Sequence, residues 1–289
     1  MKKIAVFGSI STDFVVETKR IAEKGETIIA ESFHRYFGGK GANQALSIAR
    51  SGEEVVFIGC VGADLYGDEA VENLKKEGID TSGIVRTKEF PTGSAHITVC
   101  QGDNRILIVQ GANNSSDFIE KHEIARLLEG CAFAVIQNEV NPKMNELLLN
   151  VCEEKNISVL YNPAPVTTVT NELLEKVHFL TPNEHEAKEL FPEKTLEEMV
   201  LAYPEKLLIT LGENGVLYAE GTNVKRIAAY KVAPVDTTGA GDTFNGYFIS
   251  GIVKGYSIEK AIRFANKAAS LSVQKSGAQE GVPFLGEVE

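Results

Sequence analysis

The sequence has few cysteines, and no two of them are close together. The four lie far apart, at positions 60, 100, 131 and 152. This spacing fits neither a zinc knuckle nor a redox pair, and a chain of 289 residues does not need disulfides to hold its core. We therefore expect free thiols.

Long apolar runs are also absent. No stretch approaches the length of a membrane span, and the apolar segment after Lys2 and Lys3 is too short for a signal peptide. The net charge of −11 argues against a broad surface for nucleic acid or anionic membranes. We expect a cytoplasmic protein with neither partner. A phosphorylated ligand stays possible, because a group of backbone amides and a metal ion can bind one locally.

Two common phosphate-binding motifs are missing. The run Gly38-Gly39-Lys40-Gly41 lacks the Ser or Thr and the upstream spacing of a P-loop. No strict dinucleotide glycine fingerprint follows the first strand-like run, Ile4–Phe7. A dinucleotide dehydrogenase is therefore disfavoured, although its fold class would suit the chain.

Strand-like runs alternate with helical patterns along most of the sequence. Repeated βα units predict an α/β fold with three layers, a mainly parallel sheet covered by helices on both faces. The segment between Glu186 and Leu207 leaves little room for a helix, and none is expected after Pro283. The predicted strands are 4–7, 55–58, 132–137, 158–162, 206–210, 215–218 and 227–232, and the predicted helices are 42–50, 68–77, 142–155, 184–190, 242–254 and 258–272.

Two strand-rich insertions, 14–37 and 88–112, interrupt this alternation. They contain short alternating segments at 27–30, 33–37, 96–101 and 105–109, with a hairpin turn predicted at Gly102-Asp103-Asn104. A small sheet is marginal alone, so it should cover something or pair with another copy. We expect one small sheet from both insertions, with 1–13, 38–87 and 113–289 forming the α/β domain.

The clearest chemical signal is the run Asp236-Thr237-Thr238-Gly239-Ala240-Gly241-Asp242, which precedes an apolar helical pattern. The first N–H groups of a helix have no intrahelical acceptor, and the helix dipole places partial positive charge at that end. Small residues let an anion approach the backbone closely. This pattern predicts a phosphate site at the start of the helix.

Asp242 lies at the same helix start, where a carboxylate would repel a bound phosphate. Beside a transferring phosphoryl group, the carboxylate can act as a base that takes the proton of an attacking hydroxyl. The alternative is an acid that only stabilises the helix N-terminus.

Residues 236–242 resemble the second signature of the ribokinase-like family of sugar and nucleoside kinases, and residues 37–43 resemble its first signature. The resemblance covers about residues 4–284. It implies an ATP-dependent kinase of a sugar's primary hydroxyl, with ribose as the first candidate, that uses Mg²⁺ and is activated by K⁺. It also implies that the small sheet is a β-sheet lid over the sugar and a homodimer contact.

The family's functional residues transfer to matching positions of this sequence. Asp242 would be the base, and the amides of Gly239, Ala240 and Gly241 would form the anion hole. The sugar would contact Ser11, Asp13, Gly39, Lys40, Asn43, Glu139 and Asp242. The nucleotide would contact Asn183, Thr210, Gly212, Gly215, Gly241 and Asn266. Mg²⁺ would be organised by Asn183 and Glu186, and K⁺ would be bound at Asp236, Thr238, Ser272, Lys275 and Gly277.

Several of these assignments have plainer alternatives. Asn183 and Glu186 also form the pattern of a capping box. Gly38 and Gly39 fit either a tight turn or a hinge for the lid. We interpret His185 as a surface residue of a helix.

Two positions depart from the family pattern. Ser11 and Gly281 stand where many members carry Asn and Ser, respectively. The change at Ser11 leaves deoxyribose, fructose or adenosine open as the acceptor. A non-catalytic sugar-binding protein is a further alternative, against which Asp242 argues.

Overall fold

The structure is a computed structural model that describes residues 2–101, 103–167 and 170–289 of the chain. In chain order, its strands are β1 (Lys3–Phe7), β2 (Ser11–Thr18), β3 (Ser32–Gly38), β4 (Glu54–Gly62), β5 (Asp80–Thr87), β6 (Gly93–Cys100), β7 (Asp103–Val109), β8 (Cys131–Gln137), β9 (Ser158–Asn162), β10 (Phe179–Leu180), β11 (Ile209–Thr210), β12 (Val216–Glu220) and β13 (Asn223–Ile227). Its α-helices are α1 (Lys40–Arg50), α2 (Leu65–Lys76), α3 (Lys121–Leu127), α4 (Pro142–Glu154), α5 (Asn171–Lys176), α6 (Glu184–Leu190), α7 (Leu196–Ala202), α8 (Ala240–Val253), α9 (Ile258–Ser272) and α10 (Leu285–Val288).

The main sheet has six strands in the order β10-β9-β8-β1-β4-β5. Every neighbouring pair is parallel. The carboxyl ends of the strands therefore meet at one edge, where open α/β sheets bind ligands. This edge carries the candidate site.

Helices cover both faces of this sheet, as the sequence predicts. Side chains alternate along β1, so that Ile4 and Val6 pack into the core beneath α1, α8 and α9. Ala5 and Phe7 pack into the opposite core, beneath α3 and α4. Because both faces are buried, the strand is apolar without a break.

The two insertions form a separate four-stranded sheet in the order β3-β2-β6-β7. The outer pairings are antiparallel, and the central β2–β6 pairing is parallel. In the β6–β7 pair, Cys100 lies opposite Asp103. Gly102 of the predicted hairpin turn lies outside the described residues. The predicted strand at 27–30 is wrong, because that segment has no regular structure.

A three-stranded antiparallel sheet, β11-β12-β13, extends the main sheet beyond β10. Parallel bridges join Leu180 to Leu207 and Asn183 to Thr210 across the gap. The predicted strand at 227–232 is wrong apart from Ile227, which ends β13, because residues 228–235 have no regular structure. The segment after Glu186 contains the short helix α7, for which the sequence leaves little room. Helix α10 follows Pro283, so the expectation that the chain ends without a helix is wrong.

The cysteines are all free; Cys60 and Cys152 are buried, and Cys100 and Cys131 are partly buried. Within the described residues, no helix is both long and apolar enough to cross a bilayer.

Candidate active site

The start of α8 lies at the edge of the main sheet and carries the predicted anion site. Gly239 is its N-cap and has a left-handed backbone with φ of 76°. A Cβ at this position would lie 2.9 Å from Ala278. Gly241 is different, because a Cβ there would meet no atom within 4 Å. The first turn of α8 is therefore open at Gly241 and closely packed at Gly239.

Asp242 is in this first turn, and its carboxylate is held by side chains of α1. Oδ2 accepts a hydrogen bond from Asn43 Nδ2 at 2.9 Å, and Oδ1 accepts one from Gln44 Nε2 at 2.9 Å. Asp242 is 6% exposed and lies in the first turn of α8, whose N-cap is Gly239. Its carboxylate therefore accepts from side chains of α1 and does not cap the helix, while the stabilisation of the helix dipole by its charge stays an alternative.

A polar cavity of about 210 Å³ lies in front of this helix start. It brings together residues from α1, α6, α8 and the ends of several strands. The lining residues that the sequence predicts for the site are Lys40, Asn183, Glu186, Thr210, Gly239, Ala240, Gly241 and Asp242. The lining residues that it does not predict are Asn162, Ala164, Thr181, Thr237 and Asn245.

Lys40 is the cationic side chain that lines this cavity among nearby acids. The negative charge of Asp242 raises the pKa of Lys40 above its ordinary value, and Glu139 and Glu186 add to this effect against the opposing effect of burial. The ammonium group is therefore charged at neutral pH, where it can face an anionic ligand.

The predicted sugar residues on the N-terminal half also come together. Ser11 Oγ donates to Asp13 Oδ1 at 2.9 Å. The backbone N–H of Lys40 donates to Glu139 Oε2 at 2.9 Å, and Ser9 Oγ donates to the same oxygen at 2.5 Å. These bonds fix Glu139, from the loop after β8, against the start of α1.

Asp13 is the most strongly perturbed carboxyl of this group. Burial raises the pKa of Asp13 to about 6, although the hydrogen bond from Ser11 lowers it. The nearby charges of Glu139, Glu280 and Asp242 contribute to the rise. Acids that repel one another at a cleft are stabilised when a ligand donates hydroxyl hydrogens to them.

Gly38 and Gly39 connect the small sheet to α1. Gly38 ends β3, opposite Ser11 in the β2–β3 pair. Gly39 has φ of 91°, and a Cβ there would lie 2.8 Å from the Ser11 nitrogen. Both features require glycine at position 39, while the choice between a turn and a hinge stays a prediction.

Asn183 and Glu186 form the complete capping box of α6, with Asn183 Oδ1 accepting from the Glu186 N–H and Glu186 Oε2 accepting from the Asn183 N–H, both at 2.8 Å. Burial raises the pKa of Glu186. His185, between them, is mostly exposed and lies 3.1 Å from Glu189, as expected for a surface residue.

The donor set of Asn183 and Glu186 fits an ion that keeps most of its waters. Both line the cavity, so capping does not remove them from it. Within the described residues, no three His, Cys, Asp or Glu side chains cluster as they would to bind a metal ion by themselves. Mg²⁺ suits such a site, because it needs only one or two carboxylates when phosphate oxygens complete its shell.

The other residues predicted to bind the nucleotide do not all line the cavity. Thr210 lines the cavity, whereas Gly212 and Gly215 lie in the turn between β11 and β12 with φ of 56° and 83°. The Asn266 side chain donates to the carbonyls of Ile227 and Ala228, at 3.4 and 3.2 Å. This amide therefore holds the end of β13 in place, a role that the sequence analysis did not foresee.

The residues predicted to bind K⁺ come from two segments that lie side by side. The backbone N–H groups of Val235 and Asp236 both donate to the carbonyl of Val273, at 2.7 and 3.1 Å. A Cβ at Gly281 would lie 2.4 Å from the Ser272 carbonyl oxygen and 3.2 Å from that of Gly277. Two backbone carbonyl oxygens therefore lie beside Gly281, of which that of Gly277 also accepts a hydrogen bond from the Gly281 N–H at 3.2 Å. Carbonyl oxygens are suitable ligands for a hard cation.

Comparison with known proteins assigns the family. A profile of the pfkB family of carbohydrate kinases matches residues 1–285. The chain belongs to this family. It is 44% identical over 296 residues to a ribokinase of Lactococcus lactis, with 100% of this chain and 96% of the relative covered. It is 42% identical over 289 residues to a ribokinase of Bacillus subtilis, with 100% and 99% covered.

Solved structures show the same fold. The Arabidopsis thaliana ribokinase complexed with ribose and ATP matches with a TM-score of 0.91 and 30% identity, over 99% of this chain and 97% of that one. A ribokinase of Thermotoga maritima matches with a TM-score of 0.89 and 34% identity, over 100% and 98%. The family resemblance inferred from the two signatures is therefore confirmed.

This pfkB-family site contains polar residues that the sequence signatures did not mark. Gln279 Nε2 donates to Asn43 Oδ1 at 3.1 Å, and Asn73 Nδ2 donates to Gln279 Oε1 at 2.9 Å. Gln44 contacts Asp242 directly. Gln44 directly follows the first signature, so its position in the sequence could have marked it as a site residue. Asn73 and Gln279 come close to Asn43 only in the folded chain, so no local signal marks them.

Proposed function

We propose that this chain is an ATP-dependent kinase that phosphorylates the primary hydroxyl of ribose and makes ribose 5-phosphate. The observation that carries the proposal is Asp242, a buried carboxylate beside an open helix N-terminus and held by two amide donors. Relatives named ribokinase over the whole chain length support ribose as the acceptor.

In this mechanism, Asp242 takes the proton of the sugar hydroxyl. The hydroxyl oxygen then forms a bond to the γ-phosphorus of ATP, the bond to the β,γ-bridging oxygen breaks, and ADP leaves. The hydrogen bonds from Asn43 and Gln44 orient the carboxylate before the reaction, so little reorganisation is needed. A general base of this kind typically contributes about 10²–10⁴-fold to the rate.

The start of α8 supplies donors for the charge on the transferred group. The N–H groups of Gly239, Ala240 and Gly241 are the proposed anion hole, supported by the helix dipole. The Ala240 N–H makes a long bond of 3.3 Å to the Thr237 carbonyl, so it is only partly engaged within the turn. Lys40 adds a fixed positive charge to the cavity wall. When bound, Mg²⁺ held by Asn183 and Glu186 through its waters would neutralise nucleotide phosphate charge.

The sugar would lie between the carboxyl edge of β1 and the small sheet. Asp13 and Glu139 would accept hydrogen bonds from its hydroxyl groups, and Ser11, Gly39 and Asn43 would line the same space. The small sheet acts in this proposal as a lid that keeps water, a competing acceptor, away from the phosphoryl group.

The environment of the enzyme is also part of the proposal. We place the reaction in the cytoplasm, with K⁺ bound beside the anion hole and with the small sheets of two copies forming a homodimer. The carbonyl oxygens of Ser272 and Gly277, which lie beside Gly281, support the cation. Neither nucleic acid nor a membrane has a part in this reaction.

Deoxyribose is the second candidate acceptor. A deoxyribokinase of Salmonella typhi is 32% identical to this chain, with 98% of the chain and 96% of the relative covered. Ser11 already donates its hydroxyl hydrogen to Asp13, so it offers the sugar less than a free amide would. If the site binds one sugar hydroxyl only weakly, it discriminates only weakly against the sugar that lacks this hydroxyl.

A kinase assay with an acceptor panel tests the proposal. We expect ADP release with ribose, slower release with deoxyribose, and none with fructose or adenosine. Asp242→Asn should lower turnover with ribose at least about 100-fold while the protein stays folded. The matched control is Asp64→Asn, because Asp64 is an acid that does cap its helix, accepting from the Gly67 N–H at 2.9 Å.

The control should retain turnover and lose only stability. Adenosine as sole acceptor would refute ribose. Sugar binding without ADP release from any acceptor would favour a non-catalytic protein. Near-normal turnover of Asp242→Asn would remove the assigned base.

A further inference from the structure

Gln44 is a fully buried glutamine in contact with the base assigned above. Its Nε2 donates to Asp242 Oδ1 at 2.9 Å and to Asn162 Oδ1 at 3.1 Å. Its Oε1 accepts from Gln137 Nε2 at 2.7 Å. Both amide hydrogens and one oxygen lone pair are therefore used inside the protein. Because Gln44 is 0% exposed, a bound substrate cannot touch it without a change in structure.

Gln137 is the second buried glutamine of this group. It ends β8, whose other buried side chains are apolar, and it is also 0% exposed. Its Oε1 has no hydrogen-bond partner among the residues that the structure describes. A buried amide is unfavourable when only part of its hydrogen-bonding capacity is used, and the part of Gln137 that is used is the NH₂ group, which donates to Gln44.

The backbone is shaped to admit this side chain. A Cβ at Gly8 would lie 2.1 Å from Gln137 Oε1 and 2.7 Å from Gly41 Cα, so glycine at position 8 leaves room both for the amide and for the close approach of α1. Gly8 directly follows β1, the strand beside β8 in the main sheet. Three segments distant in sequence therefore meet to place the Gln137 amide against Gln44.

The carboxylate of Asp242 determines the direction of the hydrogen bonds in this series of amides. An ionised carboxylate only accepts hydrogen bonds, so the amide group that faces Asp242 must be the NH₂ of Gln44. The Gln44 oxygen then points away from Asp242, and the atom that faces it must be the NH₂ of Gln137. Each donor therefore reinforces the next toward Asp242.

We propose that Gln44 is a positioning residue for Asp242 and that Gln137 acts through Gln44. The two amides hold one carboxylate oxygen in a fixed direction, which leaves the remaining lone pairs aimed at the cavity. The inference rests on the proposed function, in which Asp242 is the base. It adds that the rate of proton removal depends on two residues that never touch the sugar or ATP.

The test compares Gln44→Met, Gln137→Leu and the double variant with the wild type. Each single change removes donors but keeps the side chain close to its original volume. We expect Gln44→Met to lower kcat about 10–100-fold, as for a lost hydrogen bond to a charged group. Gln137→Leu should lower kcat about 3–10-fold, and the double variant should be no slower than Gln44→Met, because Gln137 acts only through Gln44. Sugar Kd, measured by calorimetry, should change less than about threefold, since neither residue touches the sugar.

The matched control is Tyr247→Phe. Tyr247 lies on α8 itself, is 0% exposed, and donates its hydroxyl hydrogen to the Pro283 carbonyl at 2.8 Å. This variant loses one buried hydrogen bond of the same helix without changing the donors to Asp242. It should lower Tm and leave kcat within about twofold, because the loss is one of stability alone.

Three results would overturn the inference. The first is a folded Gln44→Met variant with the kcat of the wild type. The second is a double variant whose fold-loss of kcat equals the product of the losses in the two single variants. The third is a Tyr247→Phe control that loses as much kcat as Gln44→Met. If Gln44→Met does not fold, Gln137→Leu with unchanged kcat refutes the inference by itself. A wild type without kinase activity would instead refute the proposed function, and the inference with it.

Discussion

The carboxylate of Asp236 accepts a hydrogen bond from the backbone N–H of Gly277 at 2.9 Å, across 41 residues of sequence. Its other oxygen accepts from the Thr238 N–H at 2.9 Å. Burial alone would raise the pKa of Asp236, but these hydrogen bonds outweigh it and hold the pKa below its ordinary value. An ionised side chain therefore ties the segment before α8 to the one after α9.

Asp236→Ala should weaken activation by K⁺. Without the carboxylate, each of the two segments that carry the proposed cation ligands loses a charge-assisted hydrogen bond. This loss corresponds to a decrease of about tenfold or more in the affinity for K⁺. We expect the KCl concentration for half-maximal kcat to rise by at least this factor. The measurement is kcat against KCl, with choline chloride holding the ionic strength constant.

Asp80→Ala is the control for this experiment. Asp80 accepts from the Ser82 N–H at 2.9 Å, in the same two-residue arrangement as Asp236 and Thr238, but it lies at the start of β5. The control should leave the KCl dependence unchanged. A wild type that is equally active in choline chloride would refute the cation site.

Gly241→Ala separates a structural role of the helix start from a role in phosphate binding. Among the described residues, a Cβ at Gly241 would meet no atom beyond the adjoining backbone within 4 Å, so alanine should stabilise α8 by about 0.5–1 kcal/mol. The methyl group would, however, enter the space at the cavity wall where the phosphoryl group must approach the backbone. We expect a slightly higher Tm together with a loss of kcat of at least about tenfold, because a misplaced phosphoryl group reacts slowly.

Gly286→Ala is the matched control, because a Cβ at Gly286 is equally free of contacts and lies on α10, outside the lining of the cavity. It should keep full turnover. Unchanged turnover in Gly241→Ala would argue that no phosphate approaches this backbone.

The sequence predicts those elements best whose ends carry local signals. Helices α6 and α9 begin and end at the predicted residues, and their starts are fixed by the N-caps Asn183 and Ser257. Helix α7 was missed although Thr195 and Glu198 form a capping box. The run 227–232 contains β-branched and aromatic residues, but beyond Ile227 it pairs with no strand among the described residues, so its propensity does not decide its structure.

In the site, too, the features that depend on local sequence were predicted and the long-range contacts were not. The glycine-rich start of α8 and its Asp242 are local and were predicted. The contacts of Gln44 with Asp242 and of Gln137 with Gln44 join residues 198 and 93 positions apart, and only the fold brings them together. Asn266 was placed near the nucleotide by resemblance, and its bonds to the end of β13 could not be foreseen without the fold.

Leu107→Glu should disrupt the proposed homodimer. Strand β7 is the edge of the small sheet, and Leu107, Ile108 and Phe33 on this sheet are 74%, 60% and 61% exposed. An exposed apolar edge strand is normally covered by a partner. We expect the wild type to sediment as a dimer and the variant as a monomer.

The control for the dimer is Val224→Glu, since Val224 is an exposed apolar residue, 37% exposed, on β13 of a different sheet. It should remain dimeric. A monomeric wild type at micromolar concentration would refute the assembly through β7.

Asp13→Asn should stabilise the protein and weaken its binding of sugar. The pKa of Asp13 is about 6 in the folded protein against an ordinary value of 3.8, so the folded state holds this proton more tightly than the unfolded state. The ionisation of Asp13 therefore lowers the free energy of unfolding as the pH rises from about 4 to 6. This loss of stability is complete above about pH 7. Roughly two pKa units correspond to a cost of at most about 3 kcal/mol.

The Asp13→Asn variant carries a neutral amide and avoids this cost, so thermal unfolding should show the larger gain in stability at about pH 8 and roughly half of it at about pH 5. Calorimetric titration with ribose at about pH 8 should show weaker binding, because the amide offers one acceptor oxygen where the carboxylate offers two. A gain that is equal at both pH values would mean that the titration of Asp13 does not cause it. Unchanged ribose affinity would remove Asp13 from the sugar site.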